Sequence, residues 1–101
     1  MANNFKSYGS SNVTAETTVF TGPVSTQSTV IGLGVANVGT GTATVSVKRN
    51  GVHIVKNASV PEGGTLIVVG GDQKLVVEAG GVITVSSNID VDVTLSTLEI
   101  A

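Results

Sequence analysis

The residues of this sequence that could carry chemistry fall into three groupings. His53 is the sole histidine, so a Ser-His-Asp triad or a carboxylate-histidine metal centre would have to be built around it. Asp90 and Asp92 stand two residues apart, which in a strand puts both carboxylates on one face, about 7 Å apart, where they could hold a cation. Glycines cluster at Gly70-Gly71 and Gly80-Gly81, and the string GLGVANVG spans residues 32–39. Glycine-rich turns cradle phosphate when a helix follows them.

Each grouping has a plainer reading. The segment after Gly70-Gly71, DQKLVVEAG, reads as a strand, and no lysine followed by Ser or Thr stands in the Walker position. In GLGVANVG, Asn37 sits where a third glycine is needed, and the segment is itself strand-like. These glycines are expected to be turn residues. His53 falls in the return strand of a hairpin and reads as an ordinary strand residue. A hard cation needs six or more oxygen ligands, and no loop is rich in them, so Asp90 and Asp92 are expected to keep an exposed strand soluble. Glu62, Asp72, Glu78 and Glu99 show no pairing by spacing. The expectation is a protein without cofactor, metal or catalytic residues, not an enzyme.

The elements that would position such residues are strands. Ala43, Thr44, Val45, Ser46 and Val47 alternate apolar and polar, the period of a half-buried strand. Asn50-Gly51 then predicts a type I′ hairpin turn, in which both central residues need positive φ, and the return strand is expected over 52–56. Pro61-Glu62-Gly63 predicts the next turn, followed by strands at 66–69, 74–78 and 82–86. In the last run Ile89, Val91, Val93 and Leu95 share a face, while Leu98 and Ile100 have the opposite parity. A β-bulge near Ser96-Thr97 would restore the apolar face. Upstream, Ile31, Leu33 and Val35 alternate with the nearly bare Gly32, Gly34 and Ala36, and one more strand is expected over 15–20. About seven or eight strands, turn signals every 8 to 12 residues and no helical periodicity predict an all-β antiparallel sandwich, Ig-like or jelly-roll-like. Residues 1–14 read as a flexible N-terminal arm and 15–101 as a single β-sandwich domain.

Composition narrows the function classes. Aromatics are 3% and charged residues 12% of the 101 residues, against about 25% charged in an average domain. A net charge of −2 gives nucleic acid no footprint. There is no cysteine, no signal-like apolar run at the N-terminus and no stretch of 18 apolar residues, so no disulfide, secretory route or membrane helix is expected. The sequons at Asn12 and Asn57 then read as chance. So few charges leave strand edges poorly guarded, which points to association with other proteins and to a homo-oligomer. The candidate interface comprises the aromatic anchors Phe5, Tyr8 and Phe20, the bare strand face at Gly32 and Gly34, and the Gly70, Gly71 and Asp72 loop.

The strings VKNASVPEGG, VVGGDQKLVVEAGG and VTLSTLEI resemble a group of short virion-associated proteins of tailed phages, over roughly residues 17–101. The resemblance implies a β-sandwich subunit of the phage particle, made in the host cytoplasm and resident in the virion. Its leading implication is a capsid decoration or cement protein, a trimer in the favoured form, clamping junctions of the major capsid protein. A tail, neck or fibre-attachment adaptor is the alternative, and a receptor- or carbohydrate-binding module is the alternative of another class.

Overall fold

The structure, a computed structural model, describes residues 3–70 and 74–100. Nine strands are present among them: β1 (Asn3–Val13), β2 (Thr17–Thr21), β3 (Gln27–Asn37), β4 (Ala43–Arg49), β5 (Val52–Val60), β6 (Thr65–Val69), β7 (Leu75–Val77), β8 (Val82–Ser87) and β9 (Val91–Ile100). They form two sheets, β1-β9-β3-β6 with β7 also on β3, and β2-β8-β4-β5, and every pairing is antiparallel. β6 and β7 lie end to end along β3, opposite Leu33–Ala36 and Ser28–Val30, as one interrupted strand. Strand pairing is nested: β1 with β9, β2 with β8, β3 with β6 and β7, β4 with β5. This is a long hairpin rolled onto itself, so of the two expected sandwiches the chain forms the jelly roll.

Alternating apolar residues from the two sheets meet in the core. Val30, Leu33, Val35, Val91, Val93 and Leu95 point inward from the first sheet, and Phe20, Val45, Val47, Ile83 and Val85 from the second. β-branched valine dominates because it fits a pleated surface and loses little side-chain freedom there. The turns follow the sequence reading. Asn50 and Gly51 have φ of 51° and 80°, as a type I′ turn requires, and Gly63 has φ of 76° after Pro61.

Three local expectations are corrected. Residues 3–13 do not form a free arm: β1 lies along β9 from Asn3↔Ile100 to Val13↔Val91, where the edge of β9 supplies backbone partners. There is no bulge in β9 at Ser96-Thr97. β9 keeps strict alternation, so Thr97 and Glu99 follow Val91, Val93 and Leu95 inward while Leu98 turns outward. The register shift lies on β3 instead, between Val30 and Gly32, opposite those residues. Finally, β5 runs on past Lys56 to Val60, because Asn57 takes φ of 54° and its N–H donates to Ser46 Oγ at 3.0 Å.

Candidate functional site

Sheet register sorts the first sheet into inward and outward rows, since directly paired residues share a face. One outward row crosses the sheet as Phe5, Leu98, Thr29 and Val76. The next rows are Ser7, Ser96 and Gly32, then Gly9, Thr94, Gly34 and Ile67, then Asp92, Ala36 and Thr65. Apolar side chains stand at the margins, with Phe5 75% and Ile67 66% exposed, while the floor between them is Gly, Ser, Thr and Ala. Gly32, Gly34, Thr65, Ile67, Thr94 and Ser96 line an open depression of about 250 Å³. In these rows Asp92 is the charged residue, and its Oδ1 already accepts the Asn12 N–H at 3.0 Å.

The bareness of that floor is not demanded by the chain's own packing. A Cβ on Gly32 would approach no atom nearer than 4.0 Å, and one on Gly34 none nearer than 3.6 Å, both ordinary contacts. By contrast, a Cβ on Gly22 would lie 2.3 Å from the Glu78 carbonyl oxygen. Gly22 is therefore required by the fold, whereas Gly32 and Gly34 leave open a surface that the monomer could have covered.

The other aromatic anchors turn inward. Phe20 is 3% exposed, and its ring meets that of Tyr8 edge to face, centroids 5.0 Å apart, which pins β1 of one sheet to β2 of the other. The Tyr8 hydroxyl donates to Glu99 Oε2, which also accepts Thr97 Oγ1 at 3.0 Å. Glu99 is 4% exposed, so these two donors replace the water a carboxylate would otherwise hold. The bond to Glu99, then burial, then the Glu99 charge push the Tyr8 phenol up to about 12. Phe20 and Tyr8 thus form an internal latch, and Phe5 alone of the three anchors faces outward. The sequence reading missed Glu99; the unbroken parity from Val91 to Glu99 was the signal that placed it inside.

The remaining candidates are dispersed. His53 is exposed on the outer face of the second sheet, directly opposite Lys48, whose ammonium lies 3.4 Å from Glu16. Asp90 immediately precedes β9 and is exposed, while Asp92 lies within β9 and is half-buried. No group of three His, Asp or Glu that could hold a metal occurs among the described residues. Gly70 is half-buried beside Ile67, while Gly71 and Asp72 lie outside the described residues. An open cleft of about 430 Å³ borders Arg49 and Glu78–Gly81, but the Arg49 guanidinium there donates to the Val76 carbonyl at 3.2 Å. Asn37, passed over as a missing glycine, is a buried brace: its Nδ2 donates to the carbonyls of Gly41 (2.8 Å) and Val60 (3.0 Å), and its Oδ1 accepts the Gly39 N–H.

The fold has a solved counterpart. A structure of Bacillus endospore appendages, a family of disulfide-linked pili, superposes with a TM-score of 0.50 over 97% of this chain and 84% of that one, at 14% identity. At that identity the likeness is one of fold. No protein-family model and no curated protein matches the sequence.

Proposed function

We propose that this protein is a non-enzymatic structural subunit of a multi-copy assembly, docking through the outer face of the β1-β9-β3-β6 sheet. The observation that carries this reading is the floor at Gly32 and Gly34, left bare where the fold itself tolerates side chains and rimmed by Phe5, Leu98, Val76 and Ile67. Four strands about 4.8 Å apart and ten residues at about 3.3 Å each present roughly 600 Å² of nearly flat surface. That is of the order of the ~800 Å² per partner in a standard interface. Another sheet can approach closely, and few buried charges would have to be desolvated.

Two settings have support. The resemblance to phage virion proteins favours a capsid decoration subunit, trimeric and bound to the major capsid protein, ahead of a tail or neck adaptor. The likeness of fold to a pilus subunit favours a filament. That family is disulfide-linked, whereas this sequence has no cysteine, so its copies would have to be held by packing and hydrogen bonds. A sugar-binding module is disfavoured, because Tyr8 is packed on Phe20 and Phe5 is the one aromatic ring left to stack on a sugar.

Light scattering and negative-stain microscopy on the wild type and on Gly34→Arg test this reading. The expected result is a concentration-dependent oligomer or filament for the wild type, lost in the variant while its circular dichroism is unchanged. A wild type that remains monomeric at the highest concentration reached overturns self-assembly.

A further inference from the structure

We propose that residues 3–10 are an exchangeable strand: in the assembly, β1 of one copy leaves its own β9 and lies on β9 of a second copy. This rests on the reading of the protein as an assembly subunit. β1 is an edge strand held by β9 alone within its sheet, and its side chains from Asn4 to Ser7 are exposed. Its side-chain hold on the body is slight: of residues 4–10 only Tyr8 and Ser10 are part-buried, with Tyr8 seated on Phe20 and its hydroxyl on Glu99, and the rest of the hold is the backbone ladder to β9.

A hinge separates this strand from the rest of the chain. The register of β1 breaks between Ser10 and Val13, and Asn12 there adopts φ of 54°, the left-handed conformation that asparagine takes more readily than other residues with a Cβ. Val13, 3% exposed, remains anchored beyond the break. Rotation at Asn12 gives up its bond to Asp92 and frees residues 3–10 while Val13 keeps its place, and the Tyr8 contacts with Phe20 and Glu99 are what an exchange partner must restore. Eight extended residues then reach about 26 Å, enough to cross to an abutting copy.

The body keeps a socket of fixed chemistry when the strand leaves. It consists of the open backbone edge of β9, the Phe20 ring, and the Glu99 carboxylate, left with only Thr97 as donor. Burying an unsatisfied carboxylate is costly, so the socket demands a phenol-bearing strand. In a solution of this protein that strand is β1 of another copy, which reproduces every closed contact. Reciprocal exchange makes a closed dimer, and one-way exchange makes a chain.

The absence of cysteine makes the test direct. Ser7 and Ser96 are paired outward-facing neighbours across β1 and β9. A Ser7→Cys chain and a Ser96→Cys chain are mixed, assembled and oxidised, with Thr65→Cys, exposed on the same outward face but two strands away from β9, replacing Ser96→Cys as the control for contact between faces. The expected result is a disulfide-linked pair of unlike chains, several-fold above the control. The double variant Ser7→Cys/Ser96→Cys, oxidised while dilute to tie β1 to its own β9, is expected to stay monomeric. Assembly without the cross-chain disulfide, or assembly of the tied monomer, overturns the exchange and leaves the assembly reading standing. A wild type that never assembles overturns both.

Discussion

The Tyr8–Glu99 bond offers the sharpest test of the structure. Tyr8→Phe keeps the ring on Phe20 and removes the one hydroxyl donated to Glu99. A hydrogen bond to a charged group contributes about 1.5–3 kcal/mol net. Tyr8 is only part-buried and Thr97 still donates to the same oxygen, so the lower end applies, about 1.5 kcal/mol. In a domain of this size that lowers Tm by about 9 °C. Tyr8→Ala also removes the edge-to-face contact and its burial, and should cost about 3 kcal/mol. Urea unfolding of the monomer followed by far-ultraviolet circular dichroism is the suitable assay, since Tyr8 is the sole tyrosine and there is no tryptophan to report by fluorescence. A double-mutant cycle with Glu99→Gln should return a coupling of about 1 kcal/mol. A Tyr8→Phe variant as stable as the wild type, or a cycle with no coupling, would refute the buried latch and with it the inward course of β9.

Three further outcomes concern single residues. Because the Tyr8 phenol is pushed up to about 12 in the fold and titrates near 10 when unfolded, its neutral form stabilises the fold fully below pH 10, and that stability is lost as pH rises from 10 to 12. The difference between wild type and Tyr8→Phe in chemical denaturation should shrink over that window. Asn37→Ala removes two donors and an acceptor from a site 4% exposed and should cost about 3 kcal/mol by urea unfolding. Gly22→Ala forces a Cβ to 2.3 Å from the Glu78 carbonyl oxygen, where Gly22 also exchanges hydrogen bonds with Gly80 and Gly81. It should lose about 3 kcal/mol, while Gly32→Ala stays within about 0.5 kcal/mol of the wild type.

Much of the architecture is local and was legible in residue order. Period-two alternation at 43–47 and 91–95, Asn50-Gly51 and Pro61–Gly63 depend on contacts within a few residues, so side-chain parity and turn stereochemistry suffice to place them. The glycines at 70 and 80 read as breaks between strands for the same reason. Parity states which residues share a face. Which face is covered, and by what, depends on strands brought together from far along the chain. β1 and β9 are about 90 residues apart in sequence, and nothing in NNFKSYGSSNV declares a partner. Their pairing follows from the free edge of β9 and from Tyr8 filling the space above Phe20. Glu99 was unreadable on the same ground: a carboxylate is expected outside until a phenol from the other end of the chain satisfies it. Sequence by itself determined most of the strands and the turns between them. Tertiary structure alone decided that Tyr8 and Phe20 belong to the interior, that Phe5 and the bare sheet face look outward, and that the sandwich is a jelly roll, because each depends on long-range pairing that local propensity does not encode.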